Sequence, residues 1–394
     1  MKELIISPSS TLADFEAYLA LPDLGGRTLV LSSKLLSNAG SLGTSLSYTQ
    51  FILTWARRAV TPVVKIDLAE GDEDNYLRLV QRAHGLGVAY YAGQVISDKG
   101  FGADIRYSLL KTAAPRIQAM HRGQLLETAR GSEIEMVFIE GAQNEFHGSL
   151  YSKAPTTAEL ADNEKHGELI RPRIEANRFI EECLKTFSWD RKLCDYIRSS
   201  ETPFGSLLSE AFRNTAEHGY RNADGSKLKG NMRCVRIAKS LVSRDWIKNF
   251  KMGSPDSTEA AQKYFDVLSQ KKGAFEKAQM QFLEFSIFDS GAGFSKTMGE
   301  SLKGTPHTDV ELVAKCFDKH KSSKSGGASG RGLSRILSAV HKLGGFVRFR
   351  TSTAEAFFAA SEDFSPDMAP SDFVSGNMPH AEGTLITVGI PVIF

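Results

Sequence analysis

The chain has 394 residues, enough to bury sizeable cores in two domains. Its 48 lysines and arginines stand against 46 acids, a formal charge of +2, so no single-signed field points to a polyanionic or polycationic partner. The four cysteines, Cys183, Cys194, Cys234 and Cys316, form no CxxC pair; this excludes a dense disulfide framework and suits reduced, packed thiols.

The opening MKELIISPSSTLADF carries one lysine and an apolar run too short for a secretory signal. No stretch approaches 18 apolar residues, so no membrane span is expected and a cytoplasmic location is. Up to about residue 150, strands and helices are expected to alternate. TLVLSS (28–33), PVVKIDL (62–68), VAYYAGQ (88–94) and IEMVFIE (134–140) read as strands, with YTQFILTWARRA and NYLRLVQRAHGL as helices between them. Such alternation predicts a mainly parallel α/β layer domain over 1–150, its ligand unassigned and partner recognition one use for it. GLGVAY from Gly85 and GFGADI from Gly100 each lack the third glycine of a dinucleotide fingerprint. Residues 151–169, polar and holding a proline, read as a linker.

The second half, 170–394, opens with a helix from about Arg171 through IEANRFIEECLKTF and another from about Phe204. Between Lys227 and Lys251 basic residues far outnumber the one acid, Asp245, which reads as a solvated face before it reads as a nucleic-acid surface. FLEFSIF (282–288) is a strand, a helix is expected near 332–343, and GFVRFRT and GTLITVGIP are two late strands.

Four motifs in this half carry chemistry. In SEAFRNTAEHGY, Glu210 and Asn214 stand at i and i+4 on one helix face. A carboxylate beside an amide oxygen suits Mg²⁺ and its waters, and the carboxylate can serve as a base. In FSIFDSGAGF a strand runs into Asp289, Gly291 and Gly293, an acid and flexible backbone fit to grip a flat ligand. KSSKSGGASGRGLSRI places Gly326, Gly327, Gly330 and Gly332 before a helix, with Lys324 and Arg331 beside them, an arrangement that receives phosphate. The fourth is Gly383–Thr384 in the last strand pair. No Gly-Lys dipeptide occurs, which excludes a Walker-type loop.

The order of these motifs resembles the GHKL superfamily of ATP-binding domains, which includes gyrase, large heat-shock chaperones, mismatch-repair ATPases, histidine kinases and anti-sigma-factor serine kinases. The resemblance covers about 170–394, and the wording EAFRNTAEHGY is most similar to the anti-sigma kinases. It implies an α/β sandwich with helices on one face of a mixed sheet. It implies ATP and Mg²⁺ as cofactors, with Asn214 as the metal-binding residue and Glu210 as the general base. Asp289 would bond the adenine amino group, with Gly291 and Gly293 shaping the pocket, and Thr384 is a further nucleotide-binding residue. Lys324, Gly330, Arg331 and Gly332 would approach the phosphates, and residues 295–329 would form a lid. Glu217 would orient lysine or water groups from behind, and His218 is taken as structural.

The expected activity is that of a Mg²⁺-dependent ATPase acting as a nucleotide-driven conformational switch on a protein partner, a homodimer being one arrangement. A serine/threonine kinase acting on a partner protein is the alternative; a gyrase-like clamp on nucleic acid is the second. A histidine autokinase is set aside, because too few residues separate His166 in KHGELIRPRI from Glu210 to hold a phospho-accepting hairpin. The segment 221–281 departs from the compact anti-sigma pattern and weakens the kinase alternative.

Overall fold

A computed structural model describes residues 2–36, 40–99, 102–121, 129–130 and 133–139, short runs and single positions from 180 to 230, and residues 231–276, 278–293, 307–317, 332–360 and 368–393. Two sheets organise the chain. The first is parallel, with strands β1 (Lys2–Ile6), β2 (Arg27–Leu31), β3 (Val63–Ala69) and β4 (Gln94–Lys99) side by side in chain order. Its helices are α1 (Leu12–Leu19), α2 (Thr44–Arg58), α3 (Glu73–Val80), α4 (Ala83–Tyr91) and α5 (Arg106–His121). A capping box fixes the start of α1, where the Thr11 hydroxyl accepts from the Asp14 amide and the Asp14 carboxylate accepts from the Thr11 amide.

The second sheet holds eight strands: β5 (Ala129–Arg130), β6 (Glu133–Ile139), β7 (Met232–Ser243), β8 (Gln279–Asp289), β9 (Phe346–Ser352), β10 (Ala354–Ala359), β11 (Val374–Ser375) and β12 (Ala381–Val392). Their spatial order is β11-β10-β9-β12-β8-β7-β6-β5, and every described pair is antiparallel. The chain is thus a mixed α/β protein with one parallel and one separate antiparallel sheet.

Three expectations are corrected here. VAYYAGQ is not a strand: Val88 to Tyr91 end α4, whose residues 83–89 are all buried, so its apolar run has no exposed face to reveal a helical period. IEMVFIE is a strand, but as β6 it pairs with β7 in the antiparallel sheet, so that sheet begins before residue 150. The second sheet is antiparallel, not mixed, and it carries helices on both faces, not one.

Register shows how both faces are used. Along β8, Leu283, Phe285, Ile287 and Asp289 share one face, and Phe282, Glu284, Ser286 and Phe288 the other. The Phe285 ring lies 5.6 Å from Phe204, which puts the 203–211 helical segment on the first face. The second face receives the amino-terminal helices and the helix Pro255–Gln270, whose Phe265 ring lies 5.9 Å from Phe282. One apolar core runs through both halves, from Leu29 and Phe51 to Ile287 and Val388.

The second face also holds charge. Arg236 pairs with Glu284 at 2.7 Å and with Glu133 at 2.7 Å; Arg348 pairs with Glu355 at 2.7 Å and Arg350 with Glu16 at 2.8 Å. The glutamates also cap helix starts: Glu284 accepts from the Leu42 and Gly43 amides before α2, Glu135 from Ala83 in α4, and Glu355 from Ser254 before the 255–270 helix. Burial pushes the Glu284 and Glu355 carboxyls up, but the facing arginines and these amides more than offset it and hold both below the usual range. Arg233 and Arg236, central to the basic stretch 227–251, are therefore interior residues.

Candidate functional site

Asp289 closes β8 on the face that carries the 203–211 segment. It is 5 % exposed, and its Oδ1 accepts from the Gly291 amide at 3.0 Å. Burial pushes its carboxyl up to about 7, against the pull of the Gly291 amide, Arg233 and Arg57. The register of β12 sets Thr384 opposite Asp289 on one side and Thr351 of β9 on the other. The two threonine hydroxyls are 3.3 Å apart, and that of Thr351 donates to the Gly383 carbonyl at 3.0 Å.

Backbone crowds this carboxyl. Gly383 has φ +71°, and a Cβ there would stand 1.9 Å from the Asp289 carbonyl oxygen, so glycine is required by conformation and by space. A Cβ on Gly219 would come within 2.6 Å of the Asp289 Cβ, so the end of the SEAFRNTAEHGY segment lies directly on the acid. A Cβ on Gly293 would meet the Thr351 hydroxyl at 2.7 Å. Asp289, Gly291, Gly293 and Thr384 thus come together, with Gly219, Gly383 and Thr351 joining them.

Glu210 lies at the other end of its segment. It is buried, and its Oε1 accepts from Arg335 at 2.5 Å. Arg335 stands in the first turn of the helix Gly332–Lys342, so Glu210 and the helix opened by Gly332 are neighbours. The Gly219 amide bonds the Thr215 carbonyl at 2.8 Å, a helical i to i−4 bond. Within one short stretch of chain, Glu210 thus touches the 332–342 helix and Gly219 the Asp289 cradle.

Asn214, Glu217, His218, Lys324, Gly330 and Arg331 lie outside the described residues, as do Gly326 and Gly327 and most of the 295–329 lid. Within that stretch Asp309–Phe317 is a helix, its Phe317 ring 4.9 Å from Phe349 of β9. Among the described residues no three His, Cys, Asp or Glu side chains gather as a metal site, and the cysteines are free thiols. A small apolar pocket lined by Cys183, Trp189, Ile237 and Phe285 shares no residue with the Asp289 cradle. No helix among the described residues is long and apolar enough to cross a membrane.

Sequence reading missed Arg335, Thr351 and Gly219 as site neighbours, and Arg57 altogether. Thr351 ends the GFVRFRT strand and Gly219 sits in the quoted stretch, but only register and packing place them in the cradle. Arg57 belongs to the other half of the chain and carries no local signal. The chain matches no known protein family, no characterised protein and no solved structure.

Proposed function

We propose that the chain binds ATP at the Asp289 cradle and hydrolyses it as a nucleotide-driven conformational switch of the GHKL type. One observation carries this reading: a buried acid set in glycine backbone, Asp289 with Gly219, Gly291 and Gly383, and a glycine-opened helix start beside Glu210 are both touched by the SEAFRNTAEHGY stretch, through Gly219 and Glu210. The first end offers a carboxylate acceptor bordered by glycine backbone, which fits a flat base bearing an amino donor. The second offers the positive end of a helix and an arginine, which fits phosphate.

In this proposal Asp289 accepts from the base and Thr384 and Thr351 fix its edge. Glu210 is the base toward the attacking water, and Arg335 holds its carboxylate in place until phosphate draws the arginine away. Bound Mg²⁺ supplies charge neutralisation at the phosphates, and Asn214 is the residue proposed to hold it. Transfer to a partner's hydroxyl would use the same Glu210. The gyrase-like alternative is less well supported, since Arg233 and Arg236 of its basic stretch are buried.

The test is calorimetric titration of the chain with ATP and Mg²⁺, alongside Asp289→Asn. Micromolar binding that Asp289→Asn weakens at least 100-fold supports the proposal; equal affinity in both removes Asp289 from the base pocket.

A further inference from the structure

We infer that Arg57, at the carboxyl end of α2, is a positioning residue for the Asp289 cradle and couples the amino-terminal half of the chain to it. Its effect on nucleotide rests on the ATP reading above; its effect on backbone does not.

Arg57 Nη1 donates to Glu382 Oε2 at 2.8 Å, and Nη2 donates to the Ser290 carbonyl at 2.9 Å. Each acceptor adjoins a cradle residue: Ser290 follows Asp289, and Glu382 precedes Gly383 and Thr384. The β8–β12 ladder ends at the pair Asp289–Thr384. Beyond that pair the two strand ends lose their ladder bonds, and the guanidinium spans them. A planar fork with several fixed donors suits such a bridge; an ammonium on a flexible stem reaches one acceptor at a time.

The rest of α2 makes the coupling rigid. The amides of Leu42 and Gly43, at its start, donate to Glu284 at 2.7 and 3.0 Å. Midway, Gln50 Nε2 donates to the Glu382 carbonyl at 3.2 Å, and the Thr54 hydroxyl accepts from the Glu382 amide at 3.0 Å. From Gly43 to Arg57 the helix rises about 21 Å. From Glu284 to Ser290, β8 advances about 20 Å. With these lengths matched, α2 lies over β12 and is bonded at its start to Glu284 of β8 and at its end to Ser290, just beyond β8, and to Glu382 of β12. A displacement of the amino-terminal half therefore travels down α2 as a rod and reaches the cradle at Arg57. Nucleotide that fixes the cradle fixes α2 in return.

The test compares wild type, Arg57→Gln and Arg57→Lys by amide hydrogen exchange without nucleotide and by steady-state ATPase kinetics, with thermal melting as the check on folding. We expect exchange at 290–293 and 383–385 to quicken about tenfold in both variants while the middle of β8 is unchanged. We expect KM for ATP to rise about tenfold with kcat within twofold, since Arg57 acts at the base end and not at Glu210. Unchanged exchange at both turns, or lost kcat at constant KM, overturns the inference. If wild type neither binds nor hydrolyses ATP, the nucleotide proposal fails, and exchange alone decides whether Arg57 holds the two turns.

Discussion

At Asp289 a carboxyl group sits where water hardly reaches, and among the described residues no direct ion pair neutralises it. The consequence has a sign. An acid whose folded value lies near 7 holds a proton that the unfolded chain has already lost above about 4. Its stabilising contribution is complete below about pH 4 and is lost as pH rises through about 7. Asp289→Asn should therefore raise stability at pH 7.5 relative to wild type, by up to about 4 kcal/mol at about 1.4 kcal/mol per pKa unit. The difference should vanish near pH 4, as paired denaturant melts would show. Binding runs the other way. An amino donor on the ligand needs the ionised carboxylate, so ATP affinity should climb from pH 6 to 7 by up to tenfold and flatten above about pH 7.5, as calorimetry across that range would record. Glu210→Ala should leave ATP binding within threefold and lower phosphate release at least 100-fold; unchanged release would end its role as base.

Among the elements, α2 has two roles: it belongs to the parallel-sheet half by sequence and lies on the antiparallel sheet in space. Its start depends on Gly43, whose φ is +90° and whose added Cβ would stand 2.4 Å from the Thr387 hydroxyl. Gly43→Ala should cost about 1–3 kcal/mol, from left-handed strain and displaced β12, measured by urea unfolding. Most strands were legible because β-branched and aromatic runs end in turn residues, as with PVVKIDL and GTLITVGIP. α4 was not legible, because a helix buried on all sides loses the period that identifies it. The polar layer under α2 also left no trace in sequence: Glu284 lies in FLEFSIF like any solvent-facing strand residue, and only the packing of helix starts against it shows that it is interior.

For the molecule as a whole, the two halves meet through buried charge as well as apolar contact. Removing one member leaves buried polar groups short of a partner in a low-dielectric interior. Glu284→Ala strands the Leu42 and Gly43 amides and leaves Arg236 with Glu133 and Glu135 alone, and should destabilise the chain by about 3–5 kcal/mol in urea unfolding followed by far-UV circular dichroism. If the halves unfold in one transition, as their shared core implies, the loss will appear in both.

What the sequence determined by itself was local. Strand and helix periods, the acid followed by two spaced glycines, the Glu210–Asn214 spacing and the glycine-opened helix are all short-range patterns, set by backbone geometry over a few residues. Tertiary structure alone decided the rest: β6 pairs across to β7, the antiparallel sheet is covered on both faces, Gly219 reaches Asp289 and Thr351 reaches Gly383 and Thr384, and Arg57 bridges two turns more than 230 residues away in the chain. These depend on register and on which face of a strand a helix covers. Neither leaves a local signature, because one residue of shift exchanges inside for outside without altering the composition of the strand.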